Sequence, residues 1–151
     1  NVNKIDAGQS FDYYMEGITP SIARMAEKVD AERIALAKKL GIDVASTAQS
    51  VINGYGSHGE NLYEVIQTTQ AYVGIQSPSS LAHRFCHEDT FGSLVGFATL
   101  AKELDVPTPG MDAIITCISM ATGIDYFTVG RTAQKVGLTG KSVEEIYEMI
   151  R

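Results

Sequence analysis

An all-α fold, a multi-helix bundle with a short irregular or hairpin segment at its N-terminus, is predicted for this chain by three observations. Apolar residues recur at helical spacing over the longer segments, Ser-, Thr- or Asn-led capping sequences precede those segments, and no stretch alternates long enough to build a sheet. The 151 residues, 44% hydrophobic and 20% charged, suffice for one domain with a substantial core.

Residues 1–15 hold a turn cluster, Asp6-Ala7-Gly8-Gln9-Ser10, between short runs containing Val2, Ile5, Phe11, Tyr13 and Tyr14, so a small hairpin or two extended segments is expected there. From Thr19 the signals become helical, because Thr19 can cap, Pro20 fits the first helical position and Gly41 stops the run. Ile22, Ala26, Val29, Leu36, Ala37 and Leu40 fall on one stripe. Arg33 sits near the middle of that stripe, where its stem can pack while its head snorkels or pairs with a carboxylate, a ligand contact being the other option.

Ser46-Thr47-Ala48-Gln49 reads as a capping box opening a second helix that the glycines from Gly54 end, and Asn61-Leu62-Tyr63-Glu64 opens a third with Leu62, Val65, Ile66 and Tyr72. Thr90 starts a fourth through Leu104, where Pro107-Thr108-Pro109 breaks the chain and caps a fifth running to Gly123. Short helices are expected near Asp125 to Val129 and Thr132 to Val136, and a last one capped by Ser142 with Glu145. The fourth and fifth, apolar around most of their circumference, should be the most buried. The sequence holds no internal repeat, low-complexity tract or interdomain linker.

A net charge of −6 and a pI near 5.0, without any Lys/Arg run, disfavour a nucleic-acid partner. The uncharged segments Thr90 to Ala101 and Ala113 to Ile124 are twelve residues each, short of the roughly 18 that a membrane span needs. Two cysteines make no disulfide scaffold, and no charged-then-apolar leader is present at Asn1, which favours a reducing cytoplasm. The chain opens on Asn1-Val2-Asn3-Lys4-Ile5 without an initiator Met, as an excised piece of a longer protein would.

The chemistry concentrates in His83-Arg84-Phe85-Cys86-His87-Glu88-Asp89, between Pro78 and Gly92, where an irregular turn is expected. Three readings of it stand side by side. Arg84 can clamp a substrate carboxylate through its planar fork while Asp89 orients a catalytic imidazole. His83 and His87 at i, i+4 can bind a metal with Cys86, Glu88 or Asp89, although neither a His-Glu-x-x-His order nor a paired-Cys spacing is present. Otherwise the stretch is a solvated polar loop whose charges cancel. Gly54-Tyr55-Gly56-Ser57-His58-Gly59 matches the dinucleotide fingerprint in letters only. The residues before it look helical and no acidic residue ends a strand about twenty residues on, so a glycine-rich connection with His58 facing solvent is the better reading. Its amides could still face a substrate anion.

Several segments in order resemble the helical carboxy-terminal domain of octopine/nopaline-type opine dehydrogenases. They are Tyr13-Tyr14-Met15-Glu16-Gly17-Ile18-Thr19-Pro20-Ser21, Asp30-Ala31-Glu32-Arg33, Tyr55-Gly56, Leu62-Tyr63-Glu64-Val65-Ile66-Gln67 and Ala71-Tyr72-Val73-Gly74-Ile75. The stretch His83 to Asp89, Val106-Pro107-Thr108-Pro109, and Asp125-Tyr126 with Gly130-Arg131-Thr132 complete the set, which covers nearly the whole chain.

The resemblance implies that residues 1–151 form a single helical substrate-binding and catalytic domain of a longer two-domain dehydrogenase. NAD or NADP would be bound by a Rossmann domain outside this chain, and an amino acid would be reductively condensed with a 2-keto acid. In the family pattern His-Arg-aromatic-x-x-Glu-Asp, the Arg binds substrate carboxylate and the Asp pairs with a catalytic His, which carries over to Arg84 and Asp89. That His belongs to a His-Pro pair that would precede residue 1, and none of His58, His83 and His87 takes its place by motif, so this polypeptide alone is expected to be inactive. The implied partners are the N-terminal nucleotide-binding domain, the two substrates and, as an option, a second copy in a homodimer. Two other classes remain beside it, a freestanding helical module binding small carboxylates and a helical oligomerisation domain without redox chemistry. An upstream dinucleotide-binding sequence in the parent gene would separate the enzyme from both.

Overall fold

The computed structural model describes residues 1–149, leaving Ile150 and Arg151 outside the description. The elements among the described residues are helices: α1 (Val2–Asp6), α2 (Pro20–Lys39), α3 (Thr47–Tyr55), α4 (Leu62–Gln67), α5 (Arg84–Glu88), α6 (Val95–Glu103), α7 (Pro109–Thr122), α8 (Tyr126–Val129) and α9 (Val143–Met149). A 3-10 turn covers Gln70–Tyr72, and a π-helical stretch, Asp89–Leu94, joins α5 to α6 without a break. No helix among them is long and apolar enough to cross a membrane.

The all-helical class is thus as expected, but the N-terminal hairpin is not formed. The Asn1 carbonyl accepts from the Lys4 and Ile5 N–H groups, starting α1, and the glycine of the turn cluster ends it with φ +66° at Gly8. Phe11 to Tyr13 finds its extended partner at a distance. Tyr13 N–H donates to the Ile75 carbonyl at 2.7 Å, Ser77 N–H donates to Phe11 at 2.9 Å, and Asp12 bridges Gln76.

The chain divides into two compact units, Asn1–Ala31 with Val44–His83, and Glu32–Asp43 with the residues from Arg84 onward. In the first, Ala23, Leu62 and Ile66 form a core that Tyr14, Ile18, Ala26, Ala48, Tyr63 and Tyr72 surround. The tyrosines of the sequence motifs pack on one another here, Tyr14 stacked on Tyr72 at 4.0 Å and Tyr55 meeting Tyr72 edge-on at 5.2 Å. Ser46 and Asn61 cap α3 and α4 as their sequences require, accepting from the Gln49 and Glu64 N–H groups.

In the second unit, Leu36, Ala101 and Leu104 pack with Leu40, Leu100, Val106, Val143 and Ile146, and Val95, Ala98, Met111, Ile115 and Tyr126 are buried beside α6 to α8. Two expectations change. The short helix near Thr132 to Val136 is a run of turns, because the Ala133 N–H is taken by the Thr99 hydroxyl and its carbonyl by Leu138 N–H, leaving no helical ladder. Helix α7 is not buried all round: Met111 and Ile115 are inside, whereas Cys117 is exposed and Met120 is 72% exposed.

Carboxylates of α2 cap other helices, a role the sequence did not suggest. Glu27 accepts from Leu62 N–H at the start of α4, and Asp30 accepts from the N–H and hydroxyl of Thr47 at the start of α3. Glu32 takes the Gly110 and Met111 N–H groups at 2.6 and 2.8 Å, so the α7 start is capped by Glu32 while the Thr108 side chain makes no capping bond. A carboxylate there satisfies two orphan donors and opposes the positive end of the helix. Glu32→Ala should therefore cost about 2 to 4 kcal/mol of stability, read as a lowered urea midpoint, with Glu32→Gln in between.

Other carboxyls set the acid limit. Met15 and Gly74 N–H groups, donating into Asp12, hold its carboxyl below the usual range, and the Thr128 hydroxyl and N–H do the same for Asp125. A pKa lowered by folding contributes stability that is fully present above the unfolded value and is lost as pH falls through the folded one. Asp112 acts in the opposite sense, since burial and then the Glu32 charge push its carboxyl up. With four lowered carboxyls against it, those of Glu144 and Glu145 included, stability should fall below about pH 4, and Asp12→Asn should flatten part of that fall in urea midpoints measured against pH.

Candidate functional site

The stretch that concentrates chemistry is helical, where an irregular turn was expected. Pro78 lies well before Arg84, so it does not interrupt α5, and Gly92 falls inside the π-helical stretch that continues it. That stretch has hydrogen-bond partners of its own. The Thr90 hydroxyl donates to the Cys86 carbonyl at 2.6 Å, and Arg131 N–H, arriving from outside the helix, donates to the Phe91 carbonyl at 2.9 Å. A π turn widens the helix and re-aims the side chains at its entry, which is why such turns recur at functional sites.

Arg84 is exposed at the start of α5, its guanidinium 5.6 Å from the centre of the Phe85 ring. Asp89, exposed at the start of the π stretch, accepts no hydrogen bond from any described residue. Five helical positions set the two about 140° apart around the axis, and the structure does not pair them. Both charges therefore remain available to outside groups.

The neighbouring residues separate clearly. Burial pushes the Cys86 thiol up and the Asp89 charge adds to the effect, the opposite of what a nucleophile or thiolate ligand needs. Among the described residues no three His, Cys, Asp or Glu side chains gather as a metal shell. His83 lies in the first unit and has interactions of its own. Glu88 is exposed.

His87 is fixed by two neighbours. Its Nδ1 lies 3.0 Å from the Tyr126 hydroxyl, and its ring stacks on Phe91 at 5.6 Å and meets the Tyr126 ring at 5.5 Å. Tyr126 is fully buried. The sequence offers His87 as a metal ligand and not, by motif, as the catalytic His, and it gives no sign of this contact with Tyr126. Had the stretch been read as helix, the i, i+4 spacing of His87 and Phe91 would have put both on one face.

The Gly54 to Gly59 loop follows helix α3, and Gly56, with φ +68°, is the left-handed cap of that helix. A pyrophosphate cradle needs a strand before the loop, so this one does not fit a dinucleotide. His58 is held there by its backbone, the Thr68 hydroxyl accepting from its N–H at 3.1 Å and donating to its carbonyl at 2.7 Å.

Three comparisons bear on this arrangement. A family profile described as NAD/NADP octopine/nopaline dehydrogenase, alpha-helical domain, matches residues 1–122. The opine dehydrogenase of Arthrobacter sp. (strain 1C) is 41% identical over 140 residues, 93% of this chain and 39% of that protein. Protein ocs of Agrobacterium tumefaciens (strain Ach5) is 25% identical over 134 residues, 89% of this chain and 37% of that protein. The chain thus spans about two fifths of the length of these relatives. A solved structure of octopine dehydrogenase, described with NADH and L-arginine, shares the fold, with a TM-score of 0.73 and 22% identity over 89% of this chain and 42% of that one.

Proposed function

Because this chain belongs to the octopine/nopaline dehydrogenase family, through its alpha-helical domain, we propose that it is the single substrate domain, residues 1–151, of a two-domain NAD(P)-dependent opine dehydrogenase. The reaction joins the amine of an amino acid to the carbonyl of a 2-keto acid with loss of water and reduces the resulting imine to a secondary amine. The observation that carries the site is the exposed, mutually unpaired Arg84 and Asp89 at the junction of α5 and the π stretch, within the family-matched segment.

In this reading Arg84 grips a substrate carboxylate through a bidentate fork, which fixes the distance and orientation of the reacting carbon as well as its charge. Asp89 accepts from the imidazole of a catalytic His supplied by the rest of the enzyme, fixing its tautomer and favouring its protonated form. That imidazole moves the protons of imine formation. Hydride comes from a nicotinamide held outside this chain, since its one glycine-rich loop does not fit the nucleotide. The remaining partners are the nucleotide-binding half, the two substrates and a second copy of the chain, in a reducing cytoplasm consistent with the free Cys86 and Cys117.

The test is cofactor oxidation by the full-length protein, followed at 340 nm, with amino acids and 2-keto acids supplied singly and together. Oxidation that requires both, with a product of the mass of the reduced condensate, is expected. Carboxylate binding without oxidation would make the domain a binding module, and self-association without ligand affinity would make it an oligomerisation domain.

A further inference from the structure

The resemblance assigns no role to position 87, an x in its pattern, yet this imidazole is held on two sides, by Tyr126 and by Phe91. The Tyr126 hydroxyl is wholly buried, and His87 Nδ1 is its only hydrogen-bond partner among the described residues. A buried hydroxyl with one partner that can accept donates its hydrogen there, because the alternative strands an O–H without water. Nδ1 of the neutral ring is then the acceptor, and the ring proton sits on Nε2.

Nε2 in turn has no partner among the described residues, and no buried side-chain nitrogen or oxygen among them lacks one. Nε2 must therefore reach solvent. The Phe91 stack and the Tyr126 contact fix the ring plane, so the outward N–H is aimed rather than free to swing. His87 stands three residues after Arg84 on α5, which puts the two on adjacent positions of one helical face, Cβ atoms about 5 to 6 Å apart.

Resting on the reading of Arg84 above, we propose that His87 is a second substrate-carboxylate ligand, its Nε2–H donating to the carboxylate that Arg84 grips, with Tyr126 as the positioning residue that sets its tautomer and direction. A carboxylate has about four lone-pair sites, of which a bidentate guanidinium fills two, so a third donor is accommodated. Such a donor discriminates: a substrate acid keeps both contacts, whereas its amide loses the negative charge and half of its acceptors.

The experiment uses the full-length protein and steady-state kinetics of His87→Phe, Tyr126→Phe, the double variant His87→Phe/Tyr126→Phe, and Arg84→Ala. The double variant leaves no orphan hydroxyl, and should fold even where His87→Phe does not. In the double variant, KM should rise about tenfold for the same substrate that Arg84→Ala weakens, with kcat within about twofold and the KM of the other substrate unchanged. Tyr126→Phe alone, keeping the imidazole but freeing its tautomer, should raise that KM by less, and His87→Gln, which restores an N–H, should recover part of the loss. A wild-type KM in the double variant, with only the melting temperature lowered, overturns the inference and leaves His87 as packing for Tyr126. If Arg84→Ala also leaves KM unchanged, the proposed site itself falls; if Arg84→Ala alone raises it, only the role of His87 does.

Discussion

Arg84→Ala in the full-length protein should raise the KM of one carboxylate substrate by about thirtyfold or more, the largest change in substrate affinity expected anywhere in this domain. Without ligand the guanidinium is exposed at the start of α5. It lies over the Phe85 ring and forms no ion pair with Asp89, so no hydrogen bond or ion pair with a described residue has to be broken before a substrate carboxylate can take its fork. Binding of that carboxylate would remove water from both partners. Truncating one of them then leaves a desolvated charge unmatched, at a cost of roughly 2 to 5 kcal/mol, each 1.4 kcal/mol being tenfold in affinity. Arg84→Lys should recover little of it, because a point charge on a flexible stem does not reproduce a planar two-donor fork. Because the grip exists before the chemical step, the loss should appear in KM more than in kcat. Kinetics with the amino acid and keto acid varied in turn identify which of the two Arg84 holds. Wild-type constants for both substrates would remove Arg84 from the site.

Why the charges of this stretch stood out in the sequence and its helical setting did not is a matter of range. Arg84, Asp89 and their spacing are local properties of seven residues, and charge type with spacing suffices to suggest a clamp. The caps at Ser46 and Asn61 are equally local, and each was found where its sequence put it. The α5 to α6 run was misread because Pro78 and Gly92 were taken as breakers. One lies before the helix, and the other is absorbed by a π turn whose Phe91 carbonyl is met by Arg131 N–H, forty residues along the chain. No window of a dozen residues contains that partner.

The same limit explains the rest. Nothing near Glu32 in the sequence marks it as a cap, and only the fold brings Gly110 and Met111 to it. Phe11 to Tyr13 carried the residues of a hairpin strand, but the partner it chose is Ile75 to Ser77. His87 looked like a ligand in a cluster of ligands, and the buried Tyr126 that fixes it comes from the short helix α8, which the sequence placed correctly without any local sign that it meets His87. Apolar periodicity located α7 correctly and overstated its burial, since periodicity cannot say how many faces of a helix find a neighbour. The exposed Met120 and Cys117 mark the face that does not.

Asp89→Asn should give the opposite kinetic pattern to Arg84→Ala, a fall in kcat on the order of a hundredfold or more with KM for both substrates changed far less. Asparagine keeps the size and one acceptor oxygen of Asp89 but removes the negative charge and offers an N–H in place of the second oxygen. An imidazole docked against it would lose the partner that favours its protonated form, and in one of two orientations would face a donor with a donor. In the proposed reading substrate grip does not pass through this group, since Arg84 and Asp89 share no hydrogen bond or ion pair in the folded domain. Asp89 is exposed and accepts no hydrogen bond from a described residue, so the substitution removes no bond that holds the helix. The unfolding midpoint should therefore stay at the wild-type value, which separates a chemical defect from a folding one. The pH profile supplies the second readout. With the carboxylate gone, the alkaline limb of kcat, where the protonated imidazole is lost, should move to lower pH, because a neighbouring negative charge raises the pKa of a cationic acid and its loss lowers it. An unchanged profile together with an unchanged kcat would mean that Asp89 meets no imidazole, and that the carboxylate orienting the base lies on the other half of the enzyme.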